Sequence, residues 1–178
     1  TKKQNIAFKK ILEEFKSKNT VLFEGVTSSG KTEIYIKLIE IEINKGKQVL
    51  YLLPEISLAS QIVKRLILYF GNKVKVYHSR YSLNERTEVW RNVLNNKESA
   101  SIIVGARSSI FLPFKKLGLI IIDEEHESSY KQFDPNPRYN ARDCGIFLGS
   151  KIGAKVVLGS ATPSIESSQN ARKGKFGW

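Results

Sequence analysis

The sequence predicts an α/β fold, a three-layer sandwich on a mostly parallel, doubly wound sheet. Three observations lead there. Runs such as Val49-Leu50-Tyr51-Leu52-Leu53 and Leu119-Ile120-Ile121-Ile122 are continuously rather than alternately apolar, the pattern of strands buried on both faces. Segments with apolar residues at helical spacing alternate with these runs. Residues 25–32 read Gly25-Val26-Thr27-Ser28-Ser29-Gly30-Lys31-Thr32, a complete GxxxxGK[ST] loop behind Val21-Leu22-Phe23 and ahead of Ile34, Leu38 and Ile41. That loop therefore joins a strand to a helix, as the motif requires.

The elements follow in order. Phe8, Ile11, Leu12 and Phe15 recur at helical spacing and predict an amphipathic helix over 5–17, before a first strand at 20–24. Gly46 closes the helix that begins near Lys31. A second strand covers 48–53, a helix about 56–70, and a short third strand 73–77. Leu83, Trp90, Val93 and Leu94 are expected to line one face of another helix. Strands at 101–104 and 119–122 precede an irregular polar stretch at 127–142; a helix near 140–150, a strand at 155–158 and a last helix from Pro163 complete the chain. With 178 residues and no repeat or low-complexity linker, one domain is expected, with its sites at the carboxyl ends of the strands.

Composition narrows the class. The 29 Lys and Arg against 17 Asp and Glu give a formal charge of +12, which favours a polyanionic partner through counterion release; a basic soluble protein without such a partner is the alternative. The single cysteine, Cys144, excludes an internal disulfide and is read as a packing residue rather than a nucleophile. No apolar run approaches a membrane span or a signal core, so a cytoplasmic protein is expected. The absence of methionine and the start at Thr1 suggest an excised piece of a longer protein.

The chemistry-bearing residues form three groups. In the loop, two glycines let backbone N–H groups turn toward phosphate oxygens at a helix N-terminus; Lys31 then reaches the β and γ phosphates and the Thr32 hydroxyl ligands magnesium. A Gly/Ser turn that happens to carry a lysine is the alternative. Second, the apolar run ends in Asp123-Glu124-Glu125-His126. Asp123 at a strand tip suits magnesium ordering, and Glu124 suits activation of the attacking water; an acidic helix start is the other reading. His126 taken alone reads as a hydrogen-bonded structural histidine. Third, Gly159-Ser160-Ala161-Thr162-Pro163 ends a strand, with Pro163 expected at the first helical position and two hydroxyls able to span from the carboxylates toward a bound strand.

Together with Leu53-Pro54-Glu55-Ile56-Ser57-Leu58 and Gln61, Val104-Gly105-Ala106-Arg107-Ser108-Ser109-Ile110-Phe111, Ser128-Ser129-Tyr130-Lys131-Gln132, and Arg138-Tyr139 with Ala141-Arg142-Asp143, these segments resemble the superfamily 2 DNA helicases, and within them the primosomal protein N′ family. The resemblance runs through essentially the whole chain. It implies the first of two RecA-like phosphate-loop motor domains of an ATP-dependent helicase that moves 3′ to 5′ in replication restart and primosome assembly. Gly25 to Thr32 would then hold ATP, with Asp123 and Glu124 serving magnesium and water. His126, Ser160 and Thr162 would couple hydrolysis to movement. Pro54, Glu55, Gly105, Ala106, Arg107 and Ser108 correspond to segments that hold a single-strand backbone, and Gln4 lies where such proteins read adenine.

The resemblance further implies that the stretch from Tyr130 to Arg142 senses DNA, through Tyr130, Lys131, Phe133, Arg138, Tyr139 and Arg142, a mixture suited to base stacking and phosphate contact. Pro135 and Pro137 depart from the expected aromatic run, and a surface loop packed on its own domain is the alternative. Single-stranded and forked DNA, replication-restart and primosome proteins, and a second motor domain carrying an arginine finger are the implied partners; zinc is expected only outside this stretch. Two other functions remain open: a translocase subunit of a restriction or repair complex, and a nucleotide-dependent DNA-binding switch.

Overall fold

The structure is a computed structural model that describes residues 1–26, 29–54, 61–78 and 81–178. In chain order the elements are α1 (Lys2–Ser17), β1 (Thr20–Glu24), α2 (Lys31–Asn44), β2 (Gln48–Leu52), α3 (Gln61–Phe70), β3 (Val74–Tyr77), α4 (Leu83–Leu94), β4 (Ile102–Gly105), β5 (Leu117–Asp123), α5 (Ala141–Ile152), β6 (Lys155–Ser160) and α6 (Ile165–Arg172). The strands form one six-stranded sheet in the order β1-β6-β5-β2-β4-β3, and every adjacent pair is parallel.

Parallel pairing needs a crossover between strands, and the crossovers cover both faces. On one face Val21, Val49, Tyr51, Ile102, Val104, Ile121 and Val157 pack with Ile11 and Phe15 of α1, Ile34, Leu38 and Ile39 of α2, and Val63 and Leu66 of α3. The other face, with Leu22, Leu50, Leu52, Ile103, Ile120, Ile122, Val156 and Leu158, meets Val89 and Val93 of α4, Ala141 of α5 and Ala171 of α6. Strand residues therefore alternate between two cores, and each run has to be apolar throughout.

Several boundaries differ from the sequence expectation for identifiable reasons. α1 starts at Lys2 because Thr1 and Gln4 form a reciprocal capping box. α6 starts at Ile165, not Pro163: the Ser164 hydroxyl accepts from Ser167 N at 3.2 Å and caps it. Leu83 and Trp90 of α4 are exposed, and its inner face is Val89, Asn92 and Val93. Residues 56–60 lie outside the described residues, so α3 is described from Gln61. Cys144 is partly buried against the α5 core, and burial raises its thiol pKa.

The register aligns the strand ends across one edge. Glu24 lies opposite Ser160, Gly159 opposite Asp123, Ile122 opposite Leu52, and Leu52 opposite Gly105. At the sheet's β1 side the chain returns after α6, with Leu22 N donating to Gly177 O at 2.8 Å and Gly177 N to Thr20 O at 2.9 Å. Among the described residues no helix is long and apolar enough to cross a membrane.

Ile121→Ala, at the fully buried centre of β5, should lower the unfolding free energy by about 2–5 kcal/mol. Ile165→Ala, at an exposed helix start, should change it by less than about 0.5 kcal/mol. Urea unfolding of the two variants checks this, and comparable losses would show that the packing has been misjudged.

Candidate functional site

The carboxyl end of β1 leads through Gly25 and Val26 to Gly30, which caps α2 in the left-handed conformation at φ 84° and makes no side-chain cap bond. Glycine adopts this backbone at little steric cost. Among the described residues no side chain caps the first turn of α2, which suits it to an anion. Lys31 is buried, and its Nζ donates to Gly25 O at 2.6 Å and stands 3.6 Å from Glu124 Oε1. Gln4 packs directly over Gly30, where a Cβ would collide with its amide. Thr27 and Ser28 lie outside the described residues.

Asp123 closes the same cleft from β5. Its carboxylate is 8% exposed. Oδ1 accepts from the Tyr35 hydroxyl at 3.1 Å and from Glu124 N at 3.2 Å, and Oδ2 from the Tyr51 hydroxyl at 2.9 Å. Burial raises the Asp123 pKa; the Tyr51 hydrogen bond opposes that, Glu124 adds to it, and Tyr35 and Lys31 oppose it. Both phenols are pushed well above their ordinary range by burial first and by Asp123 second. A cleft of about 450 Å³ is lined by Gly30, Lys31, Thr32, Arg65, Asp123 and Glu124. Thr32 and Asp123 offer hard oxygen donors, a set that fits magnesium, which takes few protein ligands and completes its shell with phosphate and water. Among the described residues no group of three or more His, Cys, Asp or Glu side chains is arranged to hold a metal alone.

The carboxylates that follow Asp123 part company. Glu124 has φ 50°, an uncommon backbone for a residue with a side chain and one that concentrates at functional sites; its side chain turns toward Lys31 and the cleft. Glu125 goes the other way, its side chain fully buried. It accepts from Ser164 N at 2.7 Å, Ser164 Oγ at 3.0 Å, Ser167 Oγ at 2.8 Å and Arg142 Nη1 at 3.2 Å. His126 Nδ1 and Ser160 Oγ are hydrogen-bonded at 2.7 Å, and the same hydroxyl oxygen accepts from Thr162 N at 3.0 Å. The structure thus brings His126, Ser160 and Thr162 together beside Glu124, whose Oε2 is 3.7 Å from the histidine ring.

Two expected DNA-facing residues are corrected. Tyr130 is 1% exposed, and its hydroxyl donates to Asp123 O at 2.6 Å and Leu52 O at 3.1 Å, so it has no ring face for a base. Arg142 is engaged by Glu125, Asp143 and Ser164; burial pulls its pKa down, but the Asp143 and Glu125 carboxylates outweigh burial and raise it. Pro54, Gly105 and Ala106 are buried as well, and of their segments Arg107 and Ser108 reach the surface; Glu55 lies outside the described residues. The Arg107 guanidinium donates to Ser129 O at 3.2 Å. Phe133 and Arg138 are exposed, Lys131 and Tyr139 half-buried. Tyr139 meets the exposed Phe111 edge-on, ring centres 4.7 Å apart.

Sequence reasoning missed Tyr35, Tyr51, Glu125 and Arg65, which pairs with Glu33 at the cleft mouth. The tyrosines looked like ordinary apolar positions, and only Glu125's place in the acidic run hinted at a role. A second hollow of about 250 Å³ lies at the amino ends of the strands, between Leu12, Phe15, Leu38 and Leu119, away from the carboxylates.

Because Arg142 is the cationic partner of the buried Glu125, Arg142→Met should destabilise the fold by about 3–5 kcal/mol. The loss should be smaller when Glu125→Gln accompanies it. Chemical denaturation of the two single variants and the double checks this, and an equal effect in both backgrounds would remove the ion pair as the cause.

Comparison with known proteins accords with this geometry. A family model described as DEAD/DEAH box helicase matches residues 1–171. The replication restart protein PriA of Bacillus subtilis is 47% identical over 99% of the chain, which spans 22% of that protein. The PriA of Haemophilus influenzae is 46% identical over 98% of the chain and 23% of its own length. Among solved structures, RecG bound to a three-way DNA junction superposes with a TM-score of 0.69 at 23% identity, over 98% of this chain and 22% of that one. The UvsW helicase of bacteriophage T4 gives 0.60 at 17%, over 95% and 56%. These structural likenesses show a shared fold; the family match, which covers nearly all of the sequence, shows that the chain belongs to the DEAD/DEAH box helicases.

Proposed function

We propose that the chain is the ATP-binding motor domain of a DNA helicase that moves 3′ to 5′ in replication restart and primosome assembly, joined to a second motor domain in a longer protein. The observation that carries the reading is the convergence of Lys31, Thr32, Asp123 and Glu124 on one cleft at the uncapped start of α2. Lys31, now on Gly25 O, would turn to the β and γ phosphates of a bound nucleotide. Thr32 and Asp123 would hold magnesium, which would supply charge neutralisation at the phosphate oxygens. Glu124 orients the attacking water and takes its proton. His126 and Ser160 register the state of Glu124 and pass it to the segment that begins α6. Gln4, packed on the loop, is suited to an adenine contact. Zinc is expected only outside this stretch.

The β2 and β4 half of the carboxyl edge supports the DNA reading. Arg107 and Ser108 follow β4, and the 131–140 loop is tied to this side through Tyr139 on Phe111 and Arg107 on Ser129 O, with Lys131 on Arg138 O and an exposed Phe133 on the same loop; cations and aromatic surface are thus combined, and the +12 charge adds a salt-dependent attraction to phosphates. The loop over 131–140 is fastened at both ends to the acidic run, by Tyr130 on Asp123 O and by Arg142 on Glu125. DNA occupancy at the loop therefore has a mechanical route to the hydrolytic carboxylates.

In the intact protein Lys31→Ala should abolish nucleotide-dependent activity. Glu124→Gln should keep ATP binding and lower kcat by about 10²–10⁴-fold. Nucleotide titration with steady-state ATPase assays separates the two; unchanged turnover in either variant would refute the assigned role. Unwinding polarity and restart activity in the same assays distinguish a helicase from a translocase subunit or a DNA-binding switch.

Replacing Phe133 and Tyr139 with alanine should weaken DNA binding by about 1–3 kcal/mol per lost stacking contact and blunt DNA stimulation of ATPase while sparing the basal rate. Equal stimulation in variant and parent would return the loop to a packing role.

A further inference from the structure

Besides the Glu124 N–H, the donors to Asp123 are two phenols from separate elements, Tyr35 of α2 and Tyr51 of β2, one to each oxygen. Both rings are completely buried in the apolar core of the α1–α3 face. They stand edge-on to one another with ring centres 5.7 Å apart, and Phe23 meets Tyr35 edge-on at 6.0 Å. A phenylalanine at either position would pack in the same space, so what tyrosine adds is the hydroxyl on Asp123. The neighbouring strand leaves room for it: a Cβ on Gly159 would collide with the Tyr35 hydroxyl and come within 3.2 Å of Asp123 Oδ1.

The two donors also come from informative positions. Tyr35 lies three residues after Thr32 and four after Lys31 on α2, so it shares a helical face with them. Tyr51 is in the strand paired with β5. The carboxylate is thereby keyed both to the helix that receives phosphate and to the sheet.

Building on the nucleotide reading above, we infer that Tyr35 and Tyr51 are positioning residues for the divalent-cation site: their hydroxyls fix the rotation of the Asp123 carboxylate so that it meets the cation together with Thr32, without touching the cation themselves. Partners of this kind orient a ligand and strengthen its hold on the metal, and their loss weakens metal affinity by about 10–100-fold.

The test uses Tyr35→Phe, Tyr51→Phe and the double variant, with Mg²⁺ titrated into protein and a fluorescent ATP analogue, and Mn²⁺ binding followed by electron paramagnetic resonance. The double variant should raise the half-saturating Mg²⁺ and Mn²⁺ concentrations roughly tenfold or more, while nucleotide affinity in EDTA stays at the parent value. In an Asp123→Asn background the same Phe substitutions should have no further effect on cation binding. Unchanged cation binding in the double variant overturns the inference, as does an equal shift in the Asp123→Asn background, which would mean the hydroxyls act through packing. If the double variant fails to fold by circular dichroism, the single variants decide on the same criteria, with a several-fold shift expected of each. A parent that binds nucleotide no better with Mg²⁺ than with EDTA, or no better than Lys31→Ala, refutes the nucleotide reading itself, an outcome distinct from failure of the tyrosine role alone.

Discussion

Parallel pairing of all six strands is the constraint on which the rest depends. It forces each connection to cross a face of the sheet, which creates the two cores. It also delivers every strand's last residue to the same edge, so loops far apart in sequence become neighbours without any dedicated packing between them. β6 lies between β1 and β5, and Ser160 therefore stands between the phosphate loop and the acidic run. β5 in turn borders β2, whose end leads to Pro54. On the proposed reading one edge holds a nucleotide half and a second half suited to a polyanion, with β5 as the border.

Electrostatics at that border is managed by division. Three consecutive carboxylates would repel one another if they shared a volume. The left-handed backbone at Glu124 separates them: Asp123 is held by phenols of α2 and β2, Glu124 faces Lys31, and Glu125 passes to the opposite core, where serines and Arg142 satisfy it. The two buried carboxylates, Asp123 and Glu125, both have hydrogen-bond partners, as burial demands. The same arrangement joins α5 and α6 to the acidic run, so the turn that carries Glu124 is stiffened by groups outside the cleft.

The order and type of the elements were readable because strands buried on both faces leave uninterrupted apolar runs, and because a complete phosphate loop dictates a strand before it and a helix after it. Boundaries set by short-range hydrogen bonds were less readable: the Thr1–Gln4 box and the Ser164 cap moved two helix starts. Spacing alone singled out the loop and acidic residues that the fold brings to one cleft. Tyr35 and Tyr51 were not, because they stand 88 and 72 residues from the carboxylate they serve and fill positions where any large apolar residue satisfies the periodicity. Tyr130 and Arg142 misled for the converse reason: an aromatic and a cation in a polar stretch look surface-facing until the fold supplies a buried carbonyl and a buried glutamate for them.

The return of the chain beside β1 bears on self-association. An open parallel sheet ends in two rows of unpaired amides and carbonyls, each a template for a strand from another molecule. At the β1 side, hydrogen bonds with Gly177 occupy the first half of that row. At the far side β3 is only four residues long and carries Lys75, and short charged edges recruit strands poorly. Both edges of the sheet are thereby guarded against pairing with a strand from a neighbouring molecule.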